Sequence, residues 1–227
     1  MANHGKKYRA AQQKVADKMY ELDEAIGFMK ANPGAKFDET TEIAFRLGLD
    51  PKKTDQTVRG TVSLPHGTGK SVRVLVFATG AAAAAAKEAG ADQVGYEDLV
   101  AKVTGGWTDF DVAIATTEAM KEVRKLGKVL GPRGLMPSPK SGTVTDDTAA
   151  AVKQFKAGRV EFRMDRNGNT QVPFGKLSFD AAKLVDNASA IIAAVKAARP
   201  AAAKGVYLKR CTLSSTMGVG LHVNVRD

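Results

Sequence analysis

The sequence contains one cysteine, Cys211, so it forms no internal disulfide, and a lone thiol leaves too few soft ligands for a zinc ribbon. Lying in the apolar-leaning stretch from Val206 to Leu213, it reads as a packing residue rather than a nucleophile. Histidine is nearly as scarce, with only His4, His66 and His222, and no His-Glu-x-x-His pair or nucleophile elbow accompanies them. No apolar run approaches the roughly 20 residues needed to cross a bilayer. The basic start, Lys6-Lys7-Tyr8-Arg9, is not followed by an apolar core, so no secretory leader is expected. The expectation is a cytoplasmic protein with no membrane partner, no metal and no cofactor.

Two glycine motifs fail as nucleotide sites. Gly67-Thr68-Gly69-Lys70-Ser71 has Leu64 where a phosphate loop needs its first glycine, and it precedes a strand instead of opening a helix. It reads as a turn or hinge. Gly218-Val219-Gly220 lacks the third glycine and the helix of a dinucleotide fingerprint. The acidic pairs Glu97-Asp98 and Asp146-Asp147 sit at predicted helix starts, where they complement the macrodipole. No catalytic constellation emerges, and an enzyme is not expected.

What is abundant is positive charge. Lys and Arg total 34 against 24 Asp and Glu, a net +10 that favours a polyanionic partner through counterion release, the other reading being a basic, solvated surface. The 44% hydrophobic content is enough to build a core.

Strand patterns divide the chain. In 41–49, Ile43, Phe45, Leu47 and Leu49 share one face and Glu42 and Arg46 the other. Val160, Phe162 and Met164 alternate with charged residues, and Asn167-Gly168 before 170–174 predicts a β-hairpin. Val219, Leu221, Val223 and Val225 alternate with Gly220, His222, Asn224 and Arg226. These are half-buried antiparallel strands, all near the chain ends. In the middle, the apolar run Val72–Phe77, the alanine-rich 80–90 segment and their successors alternate strand and helix, which predicts a mostly parallel sheet. Because a lone hairpin is marginal in water, the two ends must share a sheet. The expected fold is an α+β domain from residues 1–66 and 159–227, its antiparallel sheet formed from both chain ends, carrying an inserted α/β, Rossmann-like three-layer domain at 67–158. The two connecting strands between them would make a hinge. Leu184, Ala188, Ile191, Ile192 and Val195 mark one helix face, ended by Pro200, and Asp23 is the expected N-cap of a helix over 24–31.

Three segments stand out as binding candidates. Between Lys121 and Lys140 there are six basic residues and one acid, and 126–142 holds four glycines and three prolines, a composition that predicts a non-helical loop. Lys128, Arg133 and Lys140 would project from it toward phosphates, unless the loop only packs on its own domain. Lys36-Phe37-Asp38-Glu39-Thr40 pairs a ring that stacks with an ammonium that meets phosphate, although Phe37 taken alone also fits a core. Ser214-Ser215-Thr216-Met217-Gly218 offers hydroxyls, an apolar tip and a permissive glycine, and is otherwise a polar hairpin loop.

Over nearly its whole length the sequence resembles the bacterial family of large-subunit ribosomal protein L-one, the protein of the mobile L-one stalk. The stretches that carry the resemblance are Lys36–Thr41, Asp55–Gly67, Gly105–Asp111, Leu130–Pro137, Gly158–Arg163 and Ser215–Gly218. The resemblance implies a structural role in the large subunit. It implies an rRNA-recognition surface of Lys36, Phe37, Thr40, Ser215, Thr216, Met217 and Gly218, with Lys6, Lys7, Arg9, Arg163 and Lys176 adding phosphate contacts. It further implies help in releasing deacylated exit-site tRNA, contact with other ribosomal components, and repression of the protein's own operon mRNA by a chain that is monomeric when free.

Overall fold

A computed structural model describes residues Gly5–Val225, and His4 and Arg226 lie outside the described residues. The chain divides into two compact units, Met1–Gly69 with Val160–Asp227, and Lys70–Arg159.

The first unit contains helices α1 (Lys6–Gln13) and α2 (Leu22–Ala31) and strands β1 (Thr40–Leu47) and β2 (Arg59–Ser63) from the N-terminal part. From the C-terminal part come β6 (Arg159–Arg163), β7 (Asn169–Lys176), α8 (Ala181–Ala197), β8 (Leu208–Ser215) and β9 (Leu221–Val223). Four strands make an antiparallel sheet in the order β7-β1-β8-β9. Period-2 alternation in β1 turns Ile43, Phe45 and Leu47 into the core, where Leu184, Ala188, Ile191 and Val195 of α8 meet them, all fully or nearly fully buried. Ile192 lies at the margin of that face and is only partly buried.

Two core-facing hydroxyls, on Thr41 and Thr170, have no hydrogen-bond partner. Leaving such a group unsatisfied costs about 1–3 kcal/mol. Thr170→Val, which keeps the shape and removes the hydroxyl, is expected to stabilise the protein by about 1 kcal/mol, read as a higher denaturant midpoint at an unchanged slope. Cys211 is buried, and burial pushes its thiol up to about 12, so it is inert at neutral pH.

The second unit contains β3 (Val74–Phe77), α3 (Gly80–Glu88), β4 (Gln93–Gly95), α4 (Glu97–Thr104), β5 (Val112–Ala115), the short helices α5 (Met120–Val123) and α6 (Gly127–Leu130), and α7 (Thr148–Lys156). Its parallel sheet runs β4-β3-β5. Alternate residues of β3 face opposite layers: Val74 and Val76 pack with Ala86, Val152 and Phe155, while Leu75 and Phe77 pack with Leu99, Val123 and Leu130. Helices therefore cover both faces, which is why β3 is apolar without alternation.

Three local expectations are corrected. The strands around Asn167-Gly168 do not form a hairpin: Asp165 and Asn169 close the turn, but β6 pairs with β2 and β7 with β1. Ladder pairing was decided by which neighbour buries the apolar face, and the turn dipeptide only reverses the chain. Asp23 is not the N-cap; Glu21 holds that position without a side-chain bond, and Asp23 sits in the first turn near the positive helix end. The 126–142 segment is not wholly non-helical, because its prolines begin at Pro132 and one turn, α6, forms ahead of them to bury Leu130. The compact units part at 69/70 and 159/160. Asn187 donates to the Gly67 carbonyl at 2.9 Å and Phe179 packs at Gly69, while Arg159 lies over the Phe155 ring and donates to Gln154 at 2.5 Å.

Candidate nucleic-acid interface

The register of β1 against β8, with Thr41 opposite Ser215, makes two segments far apart in sequence leave the sheet side by side. Thr216 donates its N–H to the Thr40 carbonyl at 3.1 Å, and the Thr40 N–H donates to the Thr216 hydroxyl at 3.0 Å. The two candidates, 36–40 and 215–218, are one surface.

Glu39 ties that surface together. Its side chain is fully buried. One carboxylate oxygen accepts from the Ala35 N–H at 2.6 Å, and the other accepts from the Ser215 hydroxyl at 2.7 Å and the Met217 N–H at 3.0 Å. Burial pushes the carboxyl up, but hydrogen bonds from Ser215 and from the backbone at Met217, Ala35 and Gly34 outweigh it, and the group is held below its ordinary value. Close approach completes the junction. A Cβ on Gly34 would lie 2.7 Å from the Met217 carbonyl oxygen, and one on Gly218 would lie 2.3 Å from the Ser215 hydroxyl.

Above this internally bonded frame the patch presents an aromatic ring, a thioether, a hydroxyl and cations outward. Phe37 is 59% exposed and Met217 57% exposed, which removes the core reading of Phe37. Lys36 and Thr216 are exposed beside them. Lys176, opposite Thr40 on β7, donates to the Thr40 hydroxyl at 2.9 Å and so brings its charge to the same edge. Asp38 is the one acid exposed within the 36–40 segment, and it accepts from the Ser178 N–H and hydroxyl at 3.1 and 2.8 Å.

The N-terminal basic residues form helix α1. Lys7 and Lys14 line a groove of about 280 Å³ with Pro33, Gly34, Met217 and Gly218, which places one predicted and one unpredicted cation at the patch. Lys6 and Arg9 occupy exposed positions of the same helix. Arg163 does not join the patch. It ends β6, in the other sheet of this unit, next to the Asp165–Asn169 turn, whose Gly168 carbonyl accepts from the Leu47 N–H at the far end of β1 from Thr40. The resemblance offered Arg163 together with Lys176, but β6 pairs with β2 and Lys176 lies on β7 beside β1.

In the second unit Lys128, Arg133 and Lys140 are all exposed, on α6, the loop after it and the turn at Pro139–Ser141. Arg133 also donates to the Thr108 hydroxyl. Leu130 and Pro137 anchor the loop in the core, so it both packs on its own unit and leaves three cations facing solvent.

Glu39 and Lys14 escaped the sequence reading. For Glu39 a signal existed: the buried phase of β1, at Thr41, Ile43 and Phe45, extends back onto position 39, and an acid on a core phase must be held by donors. Lys14 had no comparable signal.

Among the described residues no group of His, Cys, Asp and Glu could hold a metal ion, and no helix is long and apolar enough to cross a membrane. An exposed ring, a thioether and cations thus stand together on an internally bonded frame. The chain belongs to the Ribosomal protein L1p/L10e family, whose model matches residues 29–219. It is 54% identical over 228 residues to the Large ribosomal subunit protein uL1 of Chlamydia trachomatis serovar L2b (strain UCH-1/proctitis), covering 100% of this chain and 98% of the relative. Proteins of the same name from Cutibacterium acnes and Solibacter usitatus are 56% and 57% identical, covering 96% and 97% of this chain and 95% and 93% of the relatives. It is accordingly a ribosomal protein with a structural role and not an enzyme.

Proposed function

We propose that the chain is a constituent of the large ribosomal subunit, in the cytoplasm, and grips folded large-subunit rRNA through Lys36, Phe37, Thr40, Ser215, Thr216, Met217 and Gly218. The observation that carries this reading is the convergence of the two segments, with Phe37 and Met217 exposed on a frame held by Glu39. In this frame Ser215 acts from below, as a buried donor to Glu39, and the others face the RNA. Lys176, Lys7 and Lys14 supply phosphate contacts that position the RNA without reading sequence. In this reading the RNA-binding domain is built from both chain ends, the inserted unit being a separate domain.

Exit-site tRNA is the proposed partner of Lys128, Arg133 and Lys140, supported by their exposure on a loop rich in glycine and proline. The protein's own operon mRNA is the proposed alternative occupant of the first patch. One surface serving both RNAs gives feedback, because mRNA is occupied once the tighter rRNA sites are filled.

Competition tests the rRNA reading. A structured large-subunit rRNA fragment is expected to displace labelled fragment from the free, monomeric protein at physiological salt far better than bulk RNA does. Equal competition by bulk RNA would leave only a nonspecific binder.

A further inference from the structure

The open face of the four-stranded sheet continues away from the patch. Along β1, Glu42, Ala44 and Arg46 mark successive solvent-facing rungs, and across from them on β8 stand Ser214, Thr212 and Arg210. Arg46 is thus directly opposite Arg210, a like-charge cross-strand pair of the kind that destabilises a sheet when nothing sits between the charges.

A bulge adds a third cation. The register slips between Arg46 and Leu47, so that Leu47 pairs with Leu208 and Lys209 is the extra residue. Lys209 and Arg210 are consequently both exposed between buried Leu208 and Cys211. The Lys209 stem lies over Gly48, where a Cβ would come within 3.2 Å of its Cε. Among the described residues no carboxylate pairs with Arg46, Lys209 or Arg210. Asp165, in the turn beside this end of the sheet, has one oxygen occupied by the N–H groups of Asn167 and Asn169, both at 2.8 Å. Glu42 is four residues away along the strand, about 13 Å at 3.3 Å per residue.

We propose that Arg46, Lys209 and Arg210 form a second RNA contact, a phosphate clamp, so that RNA held at Phe37 and Met217 runs along the open sheet face between them. The proposal rests on the RNA-binding reading above. The clamp lies six residues from Thr40, about 20 Å along the strand, a span that several nucleotides cover. Between them Ala44, Thr212 and Ser214 are small, so a backbone can approach, and Glu42 opposite Ser214 is the acid on β1 that it must pass. Charge complementarity and continuity with the patch select RNA as the occupant, and a bound phosphate removes the repulsion that the bare rung carries.

The test is fluorescence anisotropy of the full-length protein with a transcribed large-subunit rRNA fragment, repeated over a series of salt concentrations. The double variant Arg46→Gln, Arg210→Gln is expected to bind about ten-fold or more weakly. It should also lower the magnitude of the salt slope by about two, with a Tm no lower than wild type. A variant of equal charge loss elsewhere, Lys87→Gln with Lys102→Gln on α3 and α4, should match wild type. If the two double variants behave alike, or if Arg46→Gln, Arg210→Gln keeps wild-type affinity and slope while Phe37→Ala still weakens binding, the clamp is refuted and the RNA reading survives. Failure of the wild-type protein to prefer the fragment over bulk RNA refutes the specific rRNA reading itself.

Discussion

Glu39→Gln is expected to lower folding stability by about 2–3 kcal/mol and to weaken rRNA binding by at least ten-fold, although its carboxylate is fully buried and meets no RNA. The carboxylate offers acceptors to three donors from both chain segments: the Ala35 N–H, the Ser215 hydroxyl and the Met217 N–H. An amide keeps one acceptor oxygen and turns an NH2 toward a donor, so one side of the junction, either Ala35 or the Ser215–Met217 pair, loses its acceptor. The pH dependence carries the signature. Because the folded-state carboxyl is held below its ordinary 4.5, its contribution is complete above that value and is lost as pH falls through the folded value. Wild type minus Glu39→Gln, taken as unfolding free energy against pH, should be flat near neutrality and shrink toward acid. The difference curve is the right readout, since Asp92, Asp111 and Asp165 are also held low and contribute to acid loss in both proteins. A pH-independent difference would show that Glu39 acts through packing alone.

Replacing both Phe37 and Met217 with alanine should do the reverse: large loss of binding, none of stability. Each contributes about 1–3 kcal/mol as a stacking or apolar contact to an unstacked base. Together a loss of about 3 kcal/mol, roughly a hundred-fold in Kd, is expected. Because both side chains are more than half exposed in the free protein, their removal opens no cavity and the unfolding midpoint should hold. Filter binding paired with thermal melts on the same preparations separates the two effects. A double variant that melts early, or one that binds like wild type, would overturn the assignment of these residues to the RNA-facing surface.

The contrast between these variants shows where sequence reasoning ran out. Phe37 and Met217 were legible as candidates because an aromatic beside lysine, and a methionine beside glycine and hydroxyls, are informative residue types. Glu39 was passed over although its strand phase pointed inward, because an acid beside an RNA-binding candidate reads as solvated. Arg163, offered as a phosphate contact by resemblance alone, lies away from the patch: alternation reports a strand's buried face and says nothing about its partner, and β6 joined β2 rather than the sheet that carries Lys176. The same limit undid the Asn167-Gly168 hairpin. At α6, by contrast, the error was one of extent, since prolines and glycines forbid a long helix but not a single turn that buries Leu130.

Composition and local pattern alone determined the basic character of the chain, the lack of an internal disulfide, the antiparallel ends and the parallel middle, because these depend on residue type and on periods of 2 and 3.6 along the chain. Only the tertiary structure decided that Thr40 and Thr216 bond across 176 positions, that a buried carboxylate joins them, and that Arg46 faces Arg210 across a bulge. Those pairings are settled by which strands bury the most apolar surface together, a property of the whole core that no local stretch of sequence encodes.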